Sequence, residues 1–262
     1  MPQFGDNLGV DFYVINTNMA DSKKKILGII PARGGSKSMP RKNIKSLLGK
    51  PLIAWAIEAL KESGVCDRVV VSTDDQEIAD VAKKYGAEVP FMRPAELAQD
   101  TSPTLPVLQH AVKWLKENEA WEPDVIILTQ ATTPCVPAAC IKDGFNLFLK
   151  SNADSVISLV EVPGGYSPHW QFNLKEGNEA ELFVGGPVKG VIRRRQDLPK
   201  TYIRNSAFYI FKTKLLFDED PSFYGNDVCG FVMDAKYAVD IDTPEDWEIA
   251  ERQLKNILYE EK

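Results

Sequence analysis

Histidine is scarce: two in 262 residues, His110 and His169, far apart in the chain, which argues against a mechanism built on imidazole. The four cysteines, Cys66, Cys135, Cys140 and Cys229, form no CxxC pair and no disulfide-dense pattern. That argues against structural zinc and implies free thiols in a reducing compartment, the cytoplasm. No apolar run approaches the roughly 20 residues that cross a bilayer. Residues 1–24 lack the charged start and apolar core of a secretory leader, and read as a flexible arm. Positive charge is not in excess either. With 31 Lys and Arg against 37 Asp and Glu, the net charge of -6 and the want of a long basic tract argue against a nucleic-acid surface. Two common phosphate motifs are also missing. GxGxxG does not occur, and Ser36 stands where a Walker A loop needs glycine before its Lys-Ser pair.

What the chain does have is rhythm. Short apolar runs read as strands at 25–32, 68–73, 88–92, 124–130 and 154–162, and amphipathic stretches read as helices at 51–63, 77–86, 104–119 and 137–151. This alternation implies an α/β fold with a mainly parallel sheet covered by helices on both faces. From about residue 163 the rhythm breaks into a glycine- and proline-rich excursion of short strands and loops. The core resumes with strands at 207–212 and 237–242 and ends in a helix at 244–258, with Thr243 as its N-cap. Residues 25–258 thus form one domain with an insertion at about 163–205.

Ligands of such sheets gather beyond the carboxyl ends of the strands. Immediately after the first strand comes PARGGSKSMPRKN, with four cations and no carboxylate. Gly34 and Gly35 give a nest of backbone N–H groups the freedom it needs, Ser36 lies within it, and Arg33, Lys37 and Lys42 supply charge. A cationic loop on an acidic protein suits a compact anion such as a phosphate chain. A second basic cluster, residues 186–205, holds six Lys and Arg with one Asp, and equally suits an interface. Near the end, VDIDTPED places Asp240 and Asp242 one residue apart, on one face if the segment is a strand. Either carboxylate could simply cap the next helix; a phosphate loop elsewhere in the chain favours magnesium bridging both to phosphate oxygens.

IIPARGGSKSMPRKN followed by GKPLIAWAIEAL resembles the opening of the acylneuraminate cytidylyltransferases, the CMP-sialic acid synthetase family. The likeness continues through STDDQEIADVAKKYGAEV, RPAELAQDTSPT, NSAFYIF and VDIDTPEDW, covering about residues 25–255. It implies a Rossmann-like nucleotide-diphospho-sugar transferase fold and transfer of CMP from CTP to an acidic sugar, with Arg33, Lys42 and Asp242 in the catalytic machinery. It further implies that Asn43, Arg93, Ser102 and Thr104 surround the nucleotide, and that Gln130, Tyr209, Phe223 and Tyr224 lie near the sugar. Arg195 would meet the sugar acid across a homodimer interface formed by the β-rich excursion. Four departures stand out: the run after Gln130, Arg204 one place from the family's arginine, Ser206 in place of its common glycine, and Ser38 likewise.

The eight-carbon Kdo cytidylyltransferases are a related alternative, although their opening loop reads Ser-Thr-Arg where this chain has Ser36, Lys37 and Ser38. A metal-dependent glycosyltransferase shares the sheet and the aspartate pair but does not need so cationic a loop. A non-catalytic nucleotide-binding module would leave the paired aspartates without a use.

Overall fold

The computed structural model describes residues 24–36 and 38–260. The expected arm, apart from Lys24, and the candidate phosphate ligand Lys37 lie outside the described residues.

The first strand, β1 (Ile26–Pro31), runs into the cationic loop. A two-residue ladder, β2 (Ser46–Leu47) with β3 (Lys50–Pro51), then leads to α1 (Leu52–Glu62). There follow β4 (Arg68–Ser72), α2 (Gln76–Lys84), α3 (Thr104–Glu119), β5 (Val125–Thr129), α4 (Ala138–Ser151) and β6 (Ser155–Glu161). The excursion carries the hairpin β7 (Phe172–Leu174) and β8 (Ala180–Leu182). The chain returns through β9 (Tyr202–Lys212) and β10 (Val228–Met233) to α5 (Pro244–Glu260). The central sheet has the order β10-β6-β9-β5-β1-β4. Its β1–β4, β1–β5 and β6–β10 pairings are parallel, and β9 runs antiparallel to both neighbours.

Alternation along β1 distributes its side chains between two cores. Ile26 and Ile30 join Ile53, Ile57 and Leu60 of α1 and Ile141 and Phe145 of α4. Leu27 and Ile29 face Leu108, Val112 and Leu115 of α3. Burying each such side chain stabilises the fold by about 1.5–3 kcal/mol, before entropy is counted. A third cluster sets Trp247, Leu254 and Ile257 of α5 against Met39, Leu47 and Leu52, so the last helix braces the chain around the cationic loop.

Two expected strands are absent. Residues 88–92 make only isolated bridges, Glu88 to Val70 and Met92 to Thr73, because Pro90 between them has no N–H for a ladder. Residues 237–242 alternate like a strand but meet no sheet edge; Ile241 N–H donates instead to the carbonyl of Thr132 in the turn after β5. In the other direction, β9 begins at Tyr202, so residues 202–205 belong to the central sheet and the excursion ends before them. The edge strand β10, half exposed along its length, was not expected from the sequence.

Candidate active site

Beyond the carboxyl end of β1, the loop is fastened to its neighbours by its own charges. Arg33 Nη1 donates to Asp100 Oδ1 at 2.6 Å. The Gly34 N–H donates to Asp74 Oδ1 at 3.0 Å. Arg41, with φ at 60°, reaches Asp75 and Glu77. Asp75 also caps α2, accepting from Ile78 N–H at 3.0 Å. Burial works against its charge, but the bonds from Arg41 and Ile78 prevail and hold its carboxyl below the usual range. The Arg41 guanidinium is raised correspondingly, first by its hydrogen bond to Asp75.

The two glycines serve differently from the nest the sequence suggested, since neither has a positive φ. A Cβ on Gly34 would lie 2.7 Å from Asp75 Oδ2, so glycine there permits close approach. A Cβ on Gly35 would meet nothing within 4 Å. Asn43 is buried and donates from Nδ2 to the carbonyl of Arg33 at 3.0 Å, pinning the loop across its neck. Lys42, also buried, gives its ammonium to the carbonyl of Ile241 at 2.6 Å and stands 3.6 Å from Asp242 Oδ1. Arg33, Ser36, Lys42, Asn43 and Asp242 line a cleft of about 440 Å3.

The segment between residues 93 and 104 walls this cleft through Asp100. Arg93 is buried under it, donating from Nε to Ser72 Oγ at 3.1 Å and from Nη2 to the Ser72 carbonyl. Burial lowers its guanidinium to about 10. Ser102 spends its hydroxyl inside the segment, accepting from Gln99 N–H and donating to the Glu96 carbonyl, both at 3.0 Å. Thr104 opens α3 and lines a second cavity rather than the cationic cleft.

That second cavity, of about 350 Å3, contains Gln130, Tyr209 and Phe223 from the expected acceptor set, together with Arg204, Ser206, Asp240 and Asp242. Tyr209 packs edge-on against Phe223 and Tyr224, with ring centroids 5.3 and 6.0 Å away. Its hydroxyl accepts from Arg204 Nη1 at 3.3 Å, the main reason the Arg204 guanidinium is raised. Tyr224 stacks on Phe223 at 4.8 Å but is not among the residues lining the cavity. Arg195 is elsewhere. Its side chain lies against Gly164 and lines a small separate cavity in the excursion, so within one chain it does not reach the acceptor side.

Thr132 and Asp242 border both cavities and join them. Asp240 and Asp242 meet here without the strand the sequence suggested. Asp240 is the more enclosed: burial raises its carboxyl, while a hydrogen bond from Thr132 pulls the other way. Among the described residues its buried Oδ1 has no hydrogen-bond partner, whereas the side chain of Asp242 is 79% exposed. Among the described residues, no group of three or more His, Cys, Asp or Glu is placed to hold a metal. An unpartnered oxygen on Asp240 beside the exposed carboxylate of Asp242 nevertheless fits magnesium, which takes one or two carboxylates and fills its shell with phosphate and water. Asp246 is committed to capping α5 with Thr243, accepting from Thr243 N–H at 2.8 Å and from Asp242 N–H at 3.0 Å.

A sheet with a cationic cleft for a phosphate chain and an adjoining polar cavity is the arrangement of a nucleotidyltransferase. Comparison with known proteins agrees. Residues 27–262 match the family model described as cytidylyltransferase. The chain is similar to a pseudaminic acid cytidylyltransferase of Campylobacter jejuni, 38% identical over 236 residues, spanning 90% of this chain and 96% of that protein. It is 34% identical to a CMP-N,N'-diacetyllegionaminic acid synthase of Legionella pneumophila, over 88% of this chain and 97% of the relative. An N-acylneuraminate cytidylyltransferase A of Danio rerio is 35% identical over 90% of this chain and 52% of its own length. Among solved structures, a CMP:2-keto-3-deoxy-manno-octonic acid synthetase complexed with CTP shares the fold, with TM-score 0.64 at 16% identity, over 89% of this chain and 99% of that one. The chain belongs to the cytidylyltransferase family, as the resemblance carried by its opening loop implies.

Sequence reasoning missed Asp100 and Thr132 on the cleft, and placed neither Arg204 nor Ser206 in the cavity. Thr132 carried a signal in its spacing, two residues past Gln130 at the end of a strand. Asp100 carried none, since its role depends on a loop folding back over the cleft.

Proposed function

We propose that the protein transfers the cytidylyl group of CTP to the anomeric hydroxyl of a nonulosonic acid, the class to which sialic, legionaminic and pseudaminic acids belong. The hydroxyl oxygen bonds to the α-phosphorus, the bond from that phosphorus to the bridging oxygen breaks, pyrophosphate leaves with the electron pair, and the hydroxyl proton is released to water. Such a displacement depends on placement and on neutralising charge. Arg33 and Lys42 are set to meet the triphosphate, and Arg33 exchanges Asp100 for phosphate as nucleotide enters. Asn43, Arg93, Ser102 and the residues around them shape the nucleotide side, here by holding backbone in place. Asp240 and Asp242 would hold magnesium, which when bound screens the phosphate oxygens.

One observation carries the reading: a cationic cleft and an arginine-bearing, aromatic-walled cavity share the walls Thr132 and Asp242. That is the layout an enzyme needs to bring a polyphosphate and an acidic sugar to one atom. The relatives named for pseudaminic and legionaminic acids support the substrate class. The test is pyrophosphate release with CTP, magnesium and a panel of sialic, legionaminic, pseudaminic and Kdo acids. Turnover with a nonulosonic acid is the expected result; turnover with Kdo alone, or with none, overturns it.

The excursion supports a homodimer. Tyr166, Leu174 and Phe183 are 73%, 71% and 57% exposed, an apolar surface of the kind that covers itself by two-fold association. Arg195, placed away from its own chain's cavity, is then free to serve the partner copy. Light scattering should show a dimer, and a fully active monomer would reject it. The four free cysteines support a cytoplasmic location. Burial pushes the Cys66 and Cys135 thiols up to about 12 and Cys140 to about 11, so these three stay protonated and unreactive at neutral pH.

A further inference from the structure

Ser206 has a φ of 59°, in the left-handed region where a residue with a Cβ is disfavoured and glycine is not. It sits at an irregularity in β9: pairing with β6 breaks between Ile157 and Leu159, and Asn205 and Ser206 have no ladder partner. Side chains lock this bulge from both directions. Ser158 Oγ donates to the Phe208 carbonyl and accepts from the Phe208 N–H, both at 3.0 Å. Asn205, buried, accepts the Ala207 N–H on its Oδ1 at 3.3 Å. The backbone at 206 is therefore over-determined by its surroundings, the condition under which a disfavoured dihedral persists at functional positions.

The side chain at this position is not needed for the bulge. Ser155 and Ser158 on the neighbouring strand both bond backbone groups through their hydroxyls, whereas the Ser206 hydroxyl bonds nothing among the described residues. Ser206 instead lines the acceptor cavity beside Arg204. The same cavity is lined by Asp240 and Asp242, which repel a carboxylate, and by Arg204, which attracts one, so an acidic acceptor turns its carboxylate toward Arg204.

We propose that Ser206 is an acceptor-contacting residue, its hydroxyl donating to the carboxylate of the sugar acid beside the Arg204 guanidinium. This rests on the function proposed above. A hydroxyl there adds a second donor beside the Arg204 guanidinium, at the cost of a strained backbone that glycine would relieve.

The experiment compares wild type with S206A and S206G, using CTP and whichever nonulosonic acid the wild type turns over. S206A removes the hydroxyl and keeps the strain; S206G removes both. Both should raise KM for the acid roughly tenfold or more, the loss of a hydrogen bond to a charged group, with KM for CTP unchanged within twofold. S206G should also raise Tm by about 2–4 °C, which separates strain from contact. In R204K/S206A the two losses should be less than additive, because both donors hold one carboxylate. Full additivity overturns the shared carboxylate. Wild-type KM for the acid in both single variants overturns the Ser206 contact while leaving the function intact. If the wild type turns over no nonulosonic acid, the function falls and this assignment falls with it.

Discussion

The two halves of the cleft are held together by opposite means. The cationic half is a loop whose described charges are each answered by a carboxylate from another segment: Arg33 by Asp100, Arg41 by Asp75 and Glu77, Lys42 by Asp242. The aromatic half is a strand with a locked bulge, backed by Tyr209, Phe223 and Tyr224 in mutual ring contact. Ion pairs that are one-third exposed, such as Arg33 with Asp100 at 32% and 35%, exchange partners at little cost. Packed aromatics do not. On the function proposed above, the cationic half would swap its own carboxylates for a ligand's phosphates, and the aromatic half would judge shape without moving.

The sharpest way to break this contrast is on the donor side. Arg33→Ala should lower kcat/KM for CTP by about 100-fold or more, since it removes a full charge from the phosphate site; steady-state kinetics that stay near normal would refute the assignment. Next in size, Asp242→Asn should raise the magnesium concentration for half-maximal rate at least tenfold, read from a metal titration, by removing the more open of the two carboxylates. On the acceptor side, Tyr209→Phe removes the hydroxyl to which Arg204 Nη1 donates. It should raise KM for the sugar acid by about three- to tenfold with KM for CTP unchanged, the worth of one hydrogen bond. A change in both KM values would mean the halves are not separable. The smallest effect is Asp100→Asn. By releasing Arg33 it should tighten CTP binding two- to fivefold by calorimetry, the range of an exposed pair, and weaker binding would show that Asp100 helps the nucleotide rather than yielding to it.

The same contrast explains what the sequence disclosed. Arg33, Gly34, Gly35, Lys42 and Asn43 are neighbours in the chain, so their joint purpose is written in one stretch. The acceptor cavity draws on Thr104, Gln130, Arg204, Tyr209 and Asp240, which only the fold assembles. The βα alternation through β6 was legible because strands buried on both faces must be apolar throughout. Where alternation was the only signal, at 237–242, it misled: the apolar residues Val239 and Ile241 pack toward α5 and the turn after β5, and no strand edge lies alongside. The glycines of the loop were recognised, but for dihedral freedom, when Gly34 serves a close approach to Asp75.

The buried ammonium of Lys42 rests on the carbonyl of Ile241, 199 residues later. A ribosome therefore finishes the loop early and leaves it without its keystone until almost the whole polypeptide has emerged. Nascent or C-terminally clipped molecules, lacking that support, should be poor at engaging nucleotide even with every arginine of the loop in place.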